Sequence, residues 1–162
     1  MSMKLTDKQI ADYFHRCFTA VDGLWFMKVE EKLGFENALE IDRAVWEVFP
    51  RIQAREMKAM LGVGKGAEAL RTAFTTALDL KGFTYRVENE GTGFRVVITQ
   101  CPWHDTMVKS GRQNLSARVG EVICQTEYSV WAAEFGNTLR FSFELPYRLC
   151  GGAGTCVLCF KE

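Results

Sequence analysis

The spacing of apolar residues changes once along this chain, near residue 82, and that change limits the folds it can adopt. Before it, apolar side chains such as Leu70, Phe74 and Leu78 recur at the three-to-four-residue period of an amphipathic helix. After it, FTYRVENE and LRFSFELPYRL alternate as β-strands do. The sequence therefore predicts a helical half over 1–82 and a sheet-containing half over 83–162.

Capping and turn residues divide the helical half. A capping box at Thr6–Gln9 predicts a first helix over 7–21. A second helix is predicted over 24–33, followed by a helical stretch from 36 to 61 and another that begins near 65. The residues expected to end or divide these helices are Gly23, Gly34, Pro50 and Gly82.

The second half of the sequence predicts the element order β-β-α-β-β. The turn ENEGTG joins two predicted strands into a hairpin, and SARVGEVICQTEYSVWAAEFG predicts a helix with Ser116 as its N-cap. LRFSFELPYRL, with Leu139, Phe141, Phe143 and Leu145 on one face, and TCVLCFKE supply the last two strands. The order predicts a single α+β domain over 1–162, in which N-terminal helices pack on a four-stranded antiparallel sheet.

Charge and apolar content argue against several functional classes. Lys+Arg and Asp+Glu balance at 20 each, without the basic excess of a nucleic-acid-binding protein. The apolar runs are too short to span a membrane, and the start MSMKLTDKQ lacks a signal-peptide core, so we expect a cytoplasmic protein. In that reducing compartment, six cysteines are expected to be thiols or metal ligands rather than disulfides.

Four cysteines fall where the predicted elements could bring them together. Cys101 ends the second strand, Cys124 lies on the long helix, and Cys150 and Cys156 flank a glycine-rich turn. Thiolates are preferred zinc ligands, and a closed zinc site needs four donors. Buried structural thiols and a catalytic or redox thiol remain as alternatives. Strand alternation places Cys159 on the opposite face from Cys156, and Cys17 is expected in the core.

Residues beside these cysteines are the candidates for chemistry and ligand contacts. His104 follows Cys101 by three residues and could transfer protons near neutral pH. Glu127 follows Cys124 on the same helix face and could act as a base. The candidates for ligand binding are Trp103, Lys109, Arg112 and Tyr128, of which the two cations could hold a carboxylate.

The order of these cysteines resembles the C-terminal half of the vinyl-4-reductase-type small-molecule-binding domain of bacterial sensors of aromatic compounds. In those domains a helix cysteine, a glutamate and two hairpin cysteines bind zinc beside an apolar pocket. The resemblance implies zinc held by Cys124, Cys150 and Cys156. The family's glutamate position is Tyr147 here, so the fourth ligand is sought among Cys101, His104, Glu127 and Cys159.

A second resemblance is to the L-2-amino-thiazoline-4-carboxylic acid hydrolase-like family. It rests on Cys101-Pro102 after the strand and on the Cys-x-x-acid motif of Cys124 and Glu127. The segment VDGLWFMKVEEKLGFENALEIDRAVWE resembles an uncharacterised prokaryotic family allied to it. This resemblance implies an enzyme that attacks a C=N carbon, with a cysteine or an open metal position supplying the nucleophile.

These observations give two main functional hypotheses. The first is a metal-anchored domain, with zinc as the metal, that binds a small molecule in an apolar or aromatic pocket and thereby shifts a homodimer or partner equilibrium. The alternative is a hydrolase of a small heterocyclic C=N or amide-like substrate. An iron–sulfur or redox protein ranks last, because Cys156 and Cys159 form the chain's one CxxC pair.

Overall fold

Six α-helices and four β-strands form within residues 4–144 and 148–162, the part of the chain that the computed structural model describes. The helices are α1 (Asp7–Leu33), α2 (Phe35–Trp46), α3 (Phe49–Leu61), α4 (Ala67–Lys81), α5 (Pro102–Lys109) and α6 (Gln113–Phe135). The strands are β1 (Thr84–Glu90), β2 (Gly93–Gln100), β3 (Arg140–Phe143) and β4 (Cys156–Lys161). Within the described residues, no helix has the length and apolarity needed to cross a membrane.

The chain divides into two compact units, one up to Asp42 and one from Arg43 onwards. The first unit contains α1, which runs unbroken from Asp7 to Leu33 after the predicted capping box at Thr6. The expected end at Gly23 is therefore wrong. Glycine costs a helix interior only about 1 kcal/mol relative to alanine, and the good helix formers on both sides outweigh that cost. Gly34 ends the helix, with a φ of 83°.

The apolar residues of α1 share one helix face, but that face is exposed. None of the described residues of α1 is buried, and Phe14 is 64% exposed. Cys17 is also exposed, so the expectation that it lies in the core is wrong. Periodicity shows which side chains share a face, whereas burial depends on what packs against it.

The second unit contains the sheet and the helices that cover it. Pro50 lies in the first turn of α3 and so divides the helical stretch as predicted. The strands are all antiparallel and follow the order β1-β2-β4-β3. The α+β class and the β1–β2 hairpin are confirmed, but two helices rather than one, α5 and α6, separate β2 from β3.

An aromatic cluster joins the inner face of the sheet to α4 and α6. Phe74 of α4 makes edge contacts with Phe160 of β4 and Tyr128 of α6, at ring-centroid distances of 5.0 and 5.4 Å. Phe160 also stacks on Phe94 of β2 at 4.9 Å. Alternation sends the other side chains of the strands to a charged outer face, where Arg95 pairs with Glu144.

The expected N-cap of α6 is wrong. The helix begins at Gln113, and Ser116 lies inside its first turn, fully buried. Its hydroxyl is a hydrogen-bond partner of the His104 imidazole of α5, so a tertiary contact replaces the capping role that its residue type suggested. Two further sequence expectations, for Leu145 and Tyr147, concern positions outside the described residues.

Replacing Phe74 by alanine should lower the free energy of unfolding by about 3–5 kcal/mol, because it removes a buried ring that α4, α6 and β4 share. The matched control is Phe14→Ala at an exposed site, for which a change below about 1 kcal/mol is expected. Urea unfolding followed by circular dichroism measures both. Equal losses for the two variants would contradict the proposed core.

Candidate functional site

One pocket collects seven of the residues singled out from the sequence. Its empty volume, open solvent included, is about 380 Å³. We call it the thiol pocket. Its predicted members are Cys101, Trp103, His104, Cys124, Tyr128, Cys150 and Cys156, and its additional members are Phe83, Ile98, Arg148 and Leu149.

The fold brings the four pocket cysteines together from four separate segments. In the β2–β4 ladder Cys156 lies opposite Ile98, close to the end of β2 and therefore close to Cys101. Cys124 enters from α6, and Cys150 from a single 3-10 turn at Leu149–Gly151. Cys159 lies on the other face of the sheet, where burial and then the charge of Glu144 raise its pKa while Arg95 acts in the opposite direction, so it is not part of the pocket.

Gly120 gives Cys150 access to α6. A Cβ atom at this position would lie 3.0 Å from the Cys150 Sγ and 3.9 Å from the Cys124 Sγ. A side chain there would press against the Cys150 sulfur, because 3.0 Å is well inside ordinary van der Waals contact. Sequence reasoning missed this residue, although a glycine in the middle of a helix, one turn before a cysteine, is a visible signal.

Burial raises the pKa of all four pocket thiols. The pKa of Cys156 rises to about 12, first through burial and then through the neighbouring Cys150 and Cys101. The pKa of Cys124 rises well above its usual value, through burial and then through Glu127. The pKa values of Cys101 and Cys150 are also raised, mainly by burial, although the backbone amides of His104 and Trp103 act in the opposite direction on Cys101. The thiols are therefore protonated near neutral pH in the absence of a cation.

His104 lies at the pocket wall in a defined position. Its Nδ1 is 2.7 Å from the Ser116 Oγ, and the buried serine fixes the ring against α6. Asp105, the next residue, accepts a hydrogen bond from Gln100. The Ser116 contact thus holds the imidazole at the pocket wall in a fixed orientation.

Glu127 is buried but does not line the pocket. Its Oε1 lies 2.6 Å from the Lys81 Nζ of α4, so the carboxylate is held in an ion pair. It acts on the pocket through its charge, which contributes to the raised pKa of Cys124. The catalytic role predicted for it stays a prediction.

The two cations expected to hold a ligand, Lys109 and Arg112, do not line the thiol pocket. Lys109 is exposed at the end of α5. Arg148 lines the pocket instead, and its guanidinium stacks over the Phe143 ring with Cζ 4.6 Å from the centroid. The signal that could have found it is its position two residues before Cys150.

The donor set of the pocket fits a soft metal ion. Four thiols are the ligands that zinc favours, and the missing Cβ of Gly120 leaves room for one sulfur beside another. Across residues 4–144 and 148–162, no three His, Cys, Asp or Glu side chains are already drawn together as a metal site. Closure of a metal site would therefore require the sulfur atoms to move.

The four pocket thiols should react slowly with iodoacetamide at pH 7.5 in chelator-treated protein, because the thiolate is the nucleophile and raised pKa values keep its fraction small. The exposed Cys17 should be alkylated first. Pocket labelling should accelerate as the pH rises towards the raised pKa values. Mass spectrometry of peptides reports each site, and labelling of Cys124 as fast as that of Cys17 would contradict this assignment.

Comparison with known proteins gives a family without a known activity. The sequence model of a family of unknown function, DUF6125, matches residues 4–142. No curated protein shows significant similarity to the chain, and no solved structure does. The match covers most of the chain, including Cys101 and Cys124, and stops before Cys150 and Cys156. The chain therefore belongs to the DUF6125 family of unknown function.

Proposed function

We propose that the thiol pocket binds a small molecule beside a zinc ion held by Cys101, Cys124, Cys150 and Cys156. The observation that carries the proposal is that four thiols, from four separate segments of the chain, line one pocket. Six free cysteines suit a reducing compartment, and the proposal places the protein in the cytoplasm.

The raised pKa values favour a metal site over a cysteine nucleophile. A nucleophilic cysteine is activated by a lowered pKa, whereas burial raises the pKa of each pocket thiol. A bound zinc ion supplies the positive charge that stabilises thiolates, and metal binding then releases protons. In this arrangement Cys150 and Cys156 would fasten the glycine-rich turn to Cys124 of α6.

The other walls suit a small apolar or aromatic molecule. Phe83, Ile98, Trp103 and Tyr128 give the pocket flat and branched apolar surfaces. The resemblance to the zinc-containing sensor domains supports the same assignment, since those domains place an apolar ligand beside the metal. Ligand binding would then bias the position of the turn that carries Cys150 and, through it, an equilibrium with a partner or a second copy.

A hydrolase is the second candidate, and the His104–Ser116 contact is the observation that favours it. An imidazole held at a pocket wall can accept a proton from an attacking water molecule. The substrate would be a small heterocycle with a C=N bond or an amide-like group, in line with the second resemblance. Under this reading His104 acts as the base, and the thiols hold the pocket's shape.

Protein purified under reducing conditions and supplied with zinc should contain about one zinc per chain, as expected of a single four-thiol site. Cys124→Ser and Cys150→Ser should each reduce this content strongly, since each removes one thiolate ligand. Cys17→Ser is the matched control, because that thiol is exposed and outside the pocket. Inductively coupled plasma mass spectrometry after dialysis measures the metal. A folded wild type that retains no zinc would overturn the metal assignment.

Gly120→Ala should weaken zinc binding by about tenfold, the order seen when groups that position metal ligands are altered. The new methyl group would meet the Cys150 Sγ at 3.0 Å. Helix propensity favours the same substitution by about 1 kcal/mol, so the protein should remain folded. The matched control is Gly23→Ala in α1, where an added Cβ has nothing within 4 Å. Competition with a chromogenic chelator measures the affinities, and an unchanged zinc affinity for Gly120→Ala would contradict the role of this glycine.

A further inference from the structure

Arg148 is a half-buried cation, and one nitrogen of its guanidinium has no hydrogen-bond partner among the described residues. That nitrogen, Nη1, is shielded from solvent. Stacking on the Phe143 ring, with Cζ 4.6 Å from the centroid, holds the guanidinium plane in place. A shielded donor on a charged group that lacks an acceptor is energetically costly, more so than a neutral one.

The residues around Arg148 indicate which kind of ligand could accept a hydrogen bond from its guanidinium. Among the described residues that line the thiol pocket, Arg148 is the only lysine or arginine, and neither aspartate nor glutamate is present. The carboxylate of Glu127, whose charge acts on the pocket thiol Cys124, is already paired with Lys81. The protein thus places a cation whose Nη1 atom has no partner among the described residues in a wall that is apolar apart from the thiols and His104, where a ligand would have to supply the negative charge.

We infer that the thiol pocket takes a small carboxylate with an apolar or aromatic body, and that Arg148 binds its carboxylate group. A guanidinium presents parallel N–H donors whose spacing matches the two oxygens of a carboxylate. Trp103, Phe83 and Tyr128 provide the surfaces for the body of the ligand. This inference rests on the proposed small-molecule pocket and names the class of ligand that it takes.

The direct test compares carboxylates with their neutral amides. Benzoate, phenylacetate and hexanoate, each beside its amide, are titrated into reduced, chelator-treated protein by isothermal calorimetry. At least one carboxylate should bind about tenfold or more tightly than its amide, the factor expected for one charge-assisted hydrogen bond. Arg148→Gln should remove that preference.

Two further variants test whether the paired donors of the guanidinium are needed and whether the effect is specific to Arg148. Arg148→Lys keeps the positive charge but loses the paired donors, so it should retain only part of the preference for the carboxylate. Arg86→Gln is the matched control, because Arg86 is exposed and pairs with Glu88. It should bind the probes as the wild type does. Circular dichroism of each variant checks the fold.

The outcomes distinguish this inference from the proposed function. If amides and carboxylates bind equally, or if Arg148→Gln leaves the preference for the carboxylate intact, the inference about Arg148 is overturned, but the proposal of a small-molecule pocket is not. If none of the six probes binds the wild type, the inference is overturned and the small-molecule proposal loses its support as well. Zinc content, measured on the same samples, reports on the metal site independently of either result.

Discussion

The contact between Phe74 of α4 and Phe160 of β4 is the one on which the rest of the second unit depends. Phe160 also stacks on Phe94 and meets Phe141, so a single ring touches both neighbours of a central strand as well as the helix above it. Because β4 begins at Cys156, this packing at one end of the strand fixes where the thiol lies at the other.

The helix α6 links that core to the thiol pocket. Its C-terminal half carries Trp131 and Phe135, which are almost fully buried in the core, and its middle carries Gly120 and Cys124. Tyr128 belongs to both regions, because its ring meets Phe74 at 5.4 Å and also lines the pocket. A change in the pocket wall is therefore transmitted directly to a side chain of the core, as expected for a close-packed interior.

The sequence predicts the fold class well because the change of period near residue 82 is a property of many residues at once. Strand alternation likewise separates Cys156 from Cys159 correctly. The errors at Gly23 and Ser116 arise from single-residue signals, which neighbouring helix formers and a tertiary hydrogen bond override. Local spacing places Gly120 one turn before Cys124 and Arg148 two residues before Cys150, but it does not show what either residue contacts. Their roles depend on where a distant turn packs against α6, which no spacing within the sequence expresses.

The two proposals for the pocket are coupled through charge. With four protonated thiols, Arg148 gives the pocket a positive charge that favours a carboxylate. Zinc bound by four thiolates would carry a net charge of about −2, which exceeds the single positive charge of Arg148 and repels an anion. A closed four-thiolate site and a bound carboxylate therefore oppose each other, and a site that leaves one thiol protonated, with a net charge of about −1, opposes the carboxylate less. The number of thiolates that bind the metal thus sets the strength of the coupling between metal and ligand.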